Sequence, residues 1–131
     1  AWAFYESVEL RKACCSIRKV EPLRRALNGS TAWLTGMRRD QATSRQELAP
    51  VEIDVLNGGI IKGNPLVDWS WEQVWEHIRA HNLPYSPLHE QGFPSIGCDP
   101  CTRPIRDGED LRAGRWWWEK SSARECGLHH R

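Results

Sequence analysis

The sequence predicts an α/β fold on three observations. Residues 70–81 carry the periodicity and start signal of an amphipathic helix, residues 51–55 alternate apolar and acidic side chains, and residues 31–35 form a short run ending at a glycine. At 131 residues and 40% hydrophobic content, the chain has apolar material for one core of ordinary domain size.

Taken in order, Phe4, Val8 and Ile17 set a helical spacing from Phe4 to Val20. That helix is expected to stop near Val20, because Pro22 lacks the N–H to continue it. Pro22 suits the first turn of a second helix running through Leu23 and Leu27 and closing at Gly29. Cys14 and Cys15 therefore fall near a helix end or kink. Thr31 to Thr35 reads as a short buried strand, and a polar loop runs from Met37 to about Ala49. Val51, Ile53 and Val55 alternate with Glu52 and Asp54 as a half-buried strand, and Asn57-Gly58-Gly59 is turn chemistry before Ile60 and Ile61, so a hairpin or a strand with a polar excursion follows. In the helix from Ser70 to His81, Ser70 and Gln73 form a capping box, and Trp71, Val74, Trp75 and Ile78 share one face. Pro84, Pro87, Gly92, Pro94, Gly97 and Pro100 then mark a long irregular stretch that something other than regular ladders must hold, and a metal centre would do so. No internal repeat, low-complexity tract or boundary between two domains is visible.

The formal net charge is +1, from 18 Lys and Arg against 17 Asp and Glu, so nothing global marks a binder of polyanions or of membrane surfaces. Locally the balance differs: between Arg11 and Arg45 lie Arg11, Lys12, Arg18, Lys19, Arg24, Arg25, Arg38, Arg39 and Arg45, against Glu21 and Asp40 alone. That stretch can hold a small, highly charged anion. With no apolar run of membrane-spanning length and no secretory pattern, a reducing, cytoplasmic setting is expected. The sequence begins at Ala1 within helical sequence, and a longer parent chain is expected.

Five cysteines cannot all pair within one chain, so metal binding or thiol chemistry is the stronger expectation in a reducing compartment. Cys14-Cys15 and Cys98-Asp99-Pro100-Cys101 form two remote pairs, a donor set for zinc or for an iron–sulfur cluster. Neighbouring helical residues diverge by about 100°, whereas sulfurs on one zinc lie within about 4 Å of each other. A cubane tolerates that divergence better. On spacing alone, a zinc site and a pair of structural cysteines beside a chance Cys-x-x-Cys remain open. His77 and His81 have zinc-ligand spacing, but Ile78 stands where a metalloprotease has glutamate, and a solvent-facing pair is the plainer reading. Trp116, Trp117 and Trp118 beside Arg112 and Arg115 fit packing better than stacking on single-stranded nucleic acid.

The run from Arg11 to Leu23, Arg-Lys-Ala-Cys-Cys-Ser-Ile-Arg-Lys-Val-Glu-Pro-Leu, resembles the cysteine signature of assimilatory adenylyl-sulfate (APS) reductases. Gly97-Cys98-Asp99-Pro100-Cys101-Thr102-Arg103, the run from Arg112 to Glu119, and Glu125-Cys126-Gly127-Leu128-His129 are similar to further segments of that family. So are the runs from Trp33 to Gln41 and from Leu83 to His89, which extends the likeness over nearly the whole chain. The loop between Gln41 and Arg45 is shorter than the family pattern. The resemblance implies the C-terminal portion of a Rossmann-like adenine-nucleotide alpha-hydrolase (PP-loop) fold, with the phosphate-loop half absent. Residues 1–118 would belong to the reductase domain and carry an irregular cluster-binding segment, and 119–131 would form a mobile catalytic tail.

It further implies a [4Fe-4S] cluster on Cys14, Cys15, Cys98 and Cys101, and Cys126 as the nucleophile toward the sulfur of APS. Thioredoxin would resolve the resulting S-sulfocysteine to sulfite. Thiolate character at Cys126 would gain from Arg124, His129 and His130. Lys19, Arg45, Arg112 and Arg115 occupy positions of substrate-facing cations, and His129 joins them in substrate binding. The cluster would pin two distant segments and shape the field around the anion rather than carry electrons. A homo-oligomer is expected, with no nucleic-acid or membrane partner. The alternatives are a phosphoadenylyl-sulfate (PAPS) reductase and a non-catalytic four-cysteine zinc module that binds nucleic acid.

Overall fold

The computed structural model describes residues 2–120 and 125–129. The chain divides into two compact units, one of Ala1–Gly36, Ala49–Pro65 and Ser121–Arg131, the other of Met37–Leu48 and Leu66–Lys120.

The first unit begins with a short turn at Ala3–Tyr5, and the helix proper, α1, starts only at Val8 and runs to Cys15. The expected start at Phe4 is corrected by Ser7: its backbone is extended and its side chain accepts from Leu10 N–H at 3.1 Å, so it caps α1. The expected stop near Val20 is also corrected. The backbone stays helical through a wide turn at Ser16–Val20 and passes into α2, Glu21–Leu27. Glu21 N–H reaches back five residues to Ser16 O, and this widening lets Pro22, which has no N–H, sit in the first turn of α2 without breaking the chain's helical path. The tandem cysteines do lie at a helix junction.

A three-stranded sheet follows, with β1 at Ala32–Leu34, β2 at Val51–Asp54 and β3 at Ile60–Gly63 in the order β1-β3-β2. β1 pairs parallel to β3 with Trp33 opposite Lys62, and β2 pairs antiparallel to β3 with Glu52 opposite Lys62 and Ile53 opposite Ile61. The expected hairpin is present, its turn carried by Gly58 and Gly59 at φ +86° and +76°. Two burial expectations are corrected. β1 is not a buried strand, since Ala32 and Leu34 are exposed. In β2 the polar side chains face inward: Val51 and Ile53 are 64% and 63% exposed, while Asp54 is buried. The cause is a polar network on that face. Lys62 lies 3.5 Å from Glu52, Asn64 donates to Glu52 at 3.0 Å and to Ala49 O at 2.8 Å, and Trp33 Nε1 donates to Asp54 at 3.0 Å.

In the second unit, Met37, Leu48 and Val67 form a small apolar core, and Arg39 ties it together by donating from its backbone N–H to Val67 O and from Nε to Leu48 O, both at 2.9 Å. α3, Trp71–Ala80, has the expected capping box, with Ser70 accepting from Gln73 N–H and Gln73 accepting from Ser70 N–H. Trp71 and Trp75 meet edge to face at 5.7 Å, and Trp75 packs against His89 and Tyr85. The irregular stretch after α3 has protein contacts that order it. Ile105 N–H donates to Gly92 O, Arg103 N–H to Gly114 O and Trp116 N–H to Cys101 O, around a bridge between Thr102 and Arg115. Gly114 is required there, since a Cβ would stand 2.2 Å from Arg103 O.

Candidate functional site

In the first unit, Cys15 ends α1 and is buried, Cys14 is half-buried, and Arg11 sits one helical turn before Cys15. Arg11 is fully buried at 0% exposure. A buried guanidinium must have its donors satisfied. Its Nη1 donates to Glu125 O at 2.6 Å, and the side chain also hydrogen-bonds Cys15. The Cys15 thiol is pushed upward by burial and drawn back down by the charges of Lys19 and Arg11, while Cys126 acts on it in the raising direction. Cys126 and Lys19 therefore both stand within electrostatic reach of Cys15.

Beyond Cys126, the His129 ring stacks on Trp33 at 5.6 Å and 9° between planes, and Lys62 Nζ stands 5.9 Å from the centre of the same indole. Two anchors thus bracket Cys126, one through the carbonyl before it and one through the imidazole three residues on. Arg124 and His130, expected to favour the thiolate, lie outside the described residues.

In the second unit, Cys98 and Cys101 flank one tight turn at Asp99–Cys101, closed by Cys101 N–H on Cys98 O at 2.9 Å. Thr102 Oγ1 donates to the same carbonyl at 2.9 Å. Cys101 is buried and Cys98 is exposed. Arg115 is buried and holds the segment leading into this turn, donating to Ile96 O at 3.1 Å and Ser95 Oγ at 3.3 Å, with its guanidinium 4.6 Å over Trp116. Arg45 is buried and donates to Gln41 Oε1. Arg112 lines an open cavity of about 50 Å³ together with Arg38, Gln41, Ser95 and Trp71.

Arg38 was not singled out by sequence reasoning. It is buried, its guanidinium carbon is 5.8 Å from the centre of the Trp71 ring, and its buried Nε has no hydrogen-bond partner. Burial pulls the guanidinium down from its ordinary value, Asp40 opposes this, and the Arg45 charge adds to it. Arg11 was likewise missed as an individual residue. The signal for both was the basic run from Arg11 to Arg45, which says nothing of burial.

The fit of a metal group rests on the donor set. All five cysteines are free of disulfides, and the two pairs offer soft thiolate donors of the kind that take iron–sulfur clusters and zinc. Among the described residues, no three His, Cys, Asp or Glu side chains are gathered to hold a metal ion. His77 and His81 pack ring to ring at 4.3 Å, with Trp69 against His77 at 5.3 Å. Among the described residues no helix is long and apolar enough to cross a membrane.

Residues 2–104 match the family described as the phosphoadenosine phosphosulfate reductase domain. A protein of Neisseria meningitidis serogroup A named adenosine 5'-phosphosulfate reductase is 60% identical over 128 residues, covering 98% of this chain and 52% of that protein. The chain spans about half the length of the curated relatives it matches. Among solved structures, a PAPS reductase of Candida auris in a phosphate complex superposes with TM-score 0.54 at 40% identity, over 63% of this chain and 38% of that one. The FMN adenylyltransferase of Candida glabrata in complex with FAD and pyrophosphate gives TM-score 0.54 at 21% identity, over 75% of this chain and 35% of that one, a likeness of fold.

Proposed function

Given that the chain belongs to the phosphoadenosine phosphosulfate reductase family and has a mixed α/β sheet of the PP-loop nucleotide alpha-hydrolase fold, we propose that the protein of which it is part reduces APS to sulfite and AMP in sulfate assimilation. What supports this reading is that Cys126 directly follows Glu125, whose carbonyl accepts from the buried Arg11 one turn before Cys15, while His129 on its other side stacks on Trp33. The proposal is that residues 119–131 bring the nucleophile to a body formed by residues 1–118.

In the proposed reaction the Cys126 thiolate attacks the sulfur of APS. An S–S bond forms, the S–O bond to the phosphate breaks, and AMP leaves with that electron pair. A thioredoxin thiolate then attacks Cys126 Sγ and expels sulfite. The second thioredoxin thiol closes the reductant's disulfide and returns Cys126 as a thiol, so the two electrons come from the dithiol. The leaving phosphate gains charge during attack, and cations stabilise it best when fixed in advance. Lys19, Arg45, Arg112 and Arg115 are proposed for that task, with His129 near the nucleophile and Arg38 as an additional cation at the Arg112 cavity.

The thiols of Cys14, Cys15, Cys98 and Cys101 would hold a [4Fe-4S] cluster. Bound there, it would supply a rigid inorganic anchor and a compact charge distribution. A reducing, cytoplasmic setting agrees with five free cysteines. Assembly as a homo-oligomer and thioredoxin as reductant belong to the same proposal.

The test is made on the full-length protein purified without oxygen. Sulfite formation from APS with thioredoxin, together with iron and acid-labile sulfide in equal amounts, is the expected result. Turnover of PAPS alone would reassign the substrate. Equimolar zinc without sulfide and without turnover would overturn the reading.

A further inference from the structure

We propose that Arg11 is the positioning residue for the tail nucleophile, holding the chain at the residue before Cys126 from inside α1. The inference rests on the reading of Cys126 as nucleophile and adds a device that sets its place.

Arg11 is a cation at 0% exposure, in a helix whose other basic residue near its end, Lys12, is exposed. Leaving a charge buried is costly unless its donors find acceptors. One acceptor is a backbone carbonyl 114 residues away, at Glu125, and the 2.6 Å separation is that of a short charge-assisted bond. Because the acceptor is main chain, the contact reads the path of the chain rather than the identity of the side chain. Cys126 is the very next residue. One planar group thereby links the end of α1 to the tail, a task that suits its forked donors and not a lysine's single ammonium.

The experiment uses the full-length protein with its cluster. The rate at which iodoacetamide labels Cys126 is followed by peptide mass spectrometry in the wild type, R11K and R11M, with visible absorption recorded in each. Loss of one charge-assisted hydrogen bond should raise the labelling rate roughly tenfold in R11M, with R11K intermediate and the absorption retained. Turnover in R11K should fall in kcat with KM for substrate changed less than twofold, as a positioning role requires. Labelling within twofold of wild type in both variants overturns the proposal, as does loss of absorption in both, which would assign Arg11 to the fold instead. Labelling needs no turnover. A wild type that forms no sulfite but shows the Arg11-dependent labelling would sink the activity reading and leave the positioning role standing.

Discussion

The imidazole of His129 lies parallel to the indole of Trp33, 5.6 Å between ring centres and 9° between planes. The indole is itself fixed by the 3.0 Å bond from Nε1 to Asp54. A strand residue is thus the platform for the His129 ring. Replacing Trp33 by Leu removes the stacking face while keeping an apolar side chain at that position. An aromatic pair is worth about 0.5–1.5 kcal/mol, so kcat should fall about two- to twelvefold. Steady-state kinetics on the full-length enzyme checks this, and unchanged kcat would remove the platform from the account.

Cys98 and Cys101 flank one tight turn, and the backbone around it is held by bonds from Thr102, Trp116 and Arg115. Cys98→Ala should therefore abolish cluster absorption and bound iron while leaving most of the secondary structure. Circular dichroism and iron analysis of one sample separate the two effects. Iron retained at the wild-type level would exclude Cys98 as a ligand.

Arg38 has a buried Nε with no partner and lines the cavity that Arg112 shares. A donor left in that state costs stability unless an anion arrives to take it. Arg38→Leu should raise KM for APS roughly tenfold, the worth of one charge-assisted contact, and should slightly raise the melting temperature of the unliganded protein. A KM within twofold of wild type would place the anion elsewhere.

Glu109 is held at about 2, well below its ordinary 4.5, first by the paired bonds from Arg103 and then by Arg106 N–H. A carboxyl lowered in the folded state stabilises it fully above the unfolded value. That stabilisation is lost as pH falls from 4.5 towards 2. Both groups are solvent-accessible, so the effect is screened by salt. Glu109→Gln should lower the melting temperature at pH 7, and the gap to wild type should close across that acid window. A gap of constant size would refute the assignment.

The legible parts of this chain were those whose signals are short in range. Ser70 and Gln73 are three residues apart, and Asn57-Gly58-Gly59 is one turn, so α3 and the hairpin could be read directly. The inward polar face of β2 could not, because it depends on Lys62, Asn64 and Trp33, whose places are set by strand register. The unbroken passage from α1 to α2 was hidden for a different reason. Pro22 signals a stop whenever helical bonds span four residues, and the bond from Glu21 to Ser16 spans five. In the site, the cysteines and the basic run were visible, while the burial of Arg11 and Arg38 arises only when distant segments close over them.

Chemistry at Cys126 is tested most directly by mass spectrometry of the full-length protein incubated with APS in the absence of any reductant. A single sulfonate group on the peptide containing Cys126, released as sulfite when thioredoxin is added and absent in Cys126→Ser, is the predicted result. Sulfonate on another cysteine, or sulfite formed at the wild-type rate by Cys126→Ser, would contradict it.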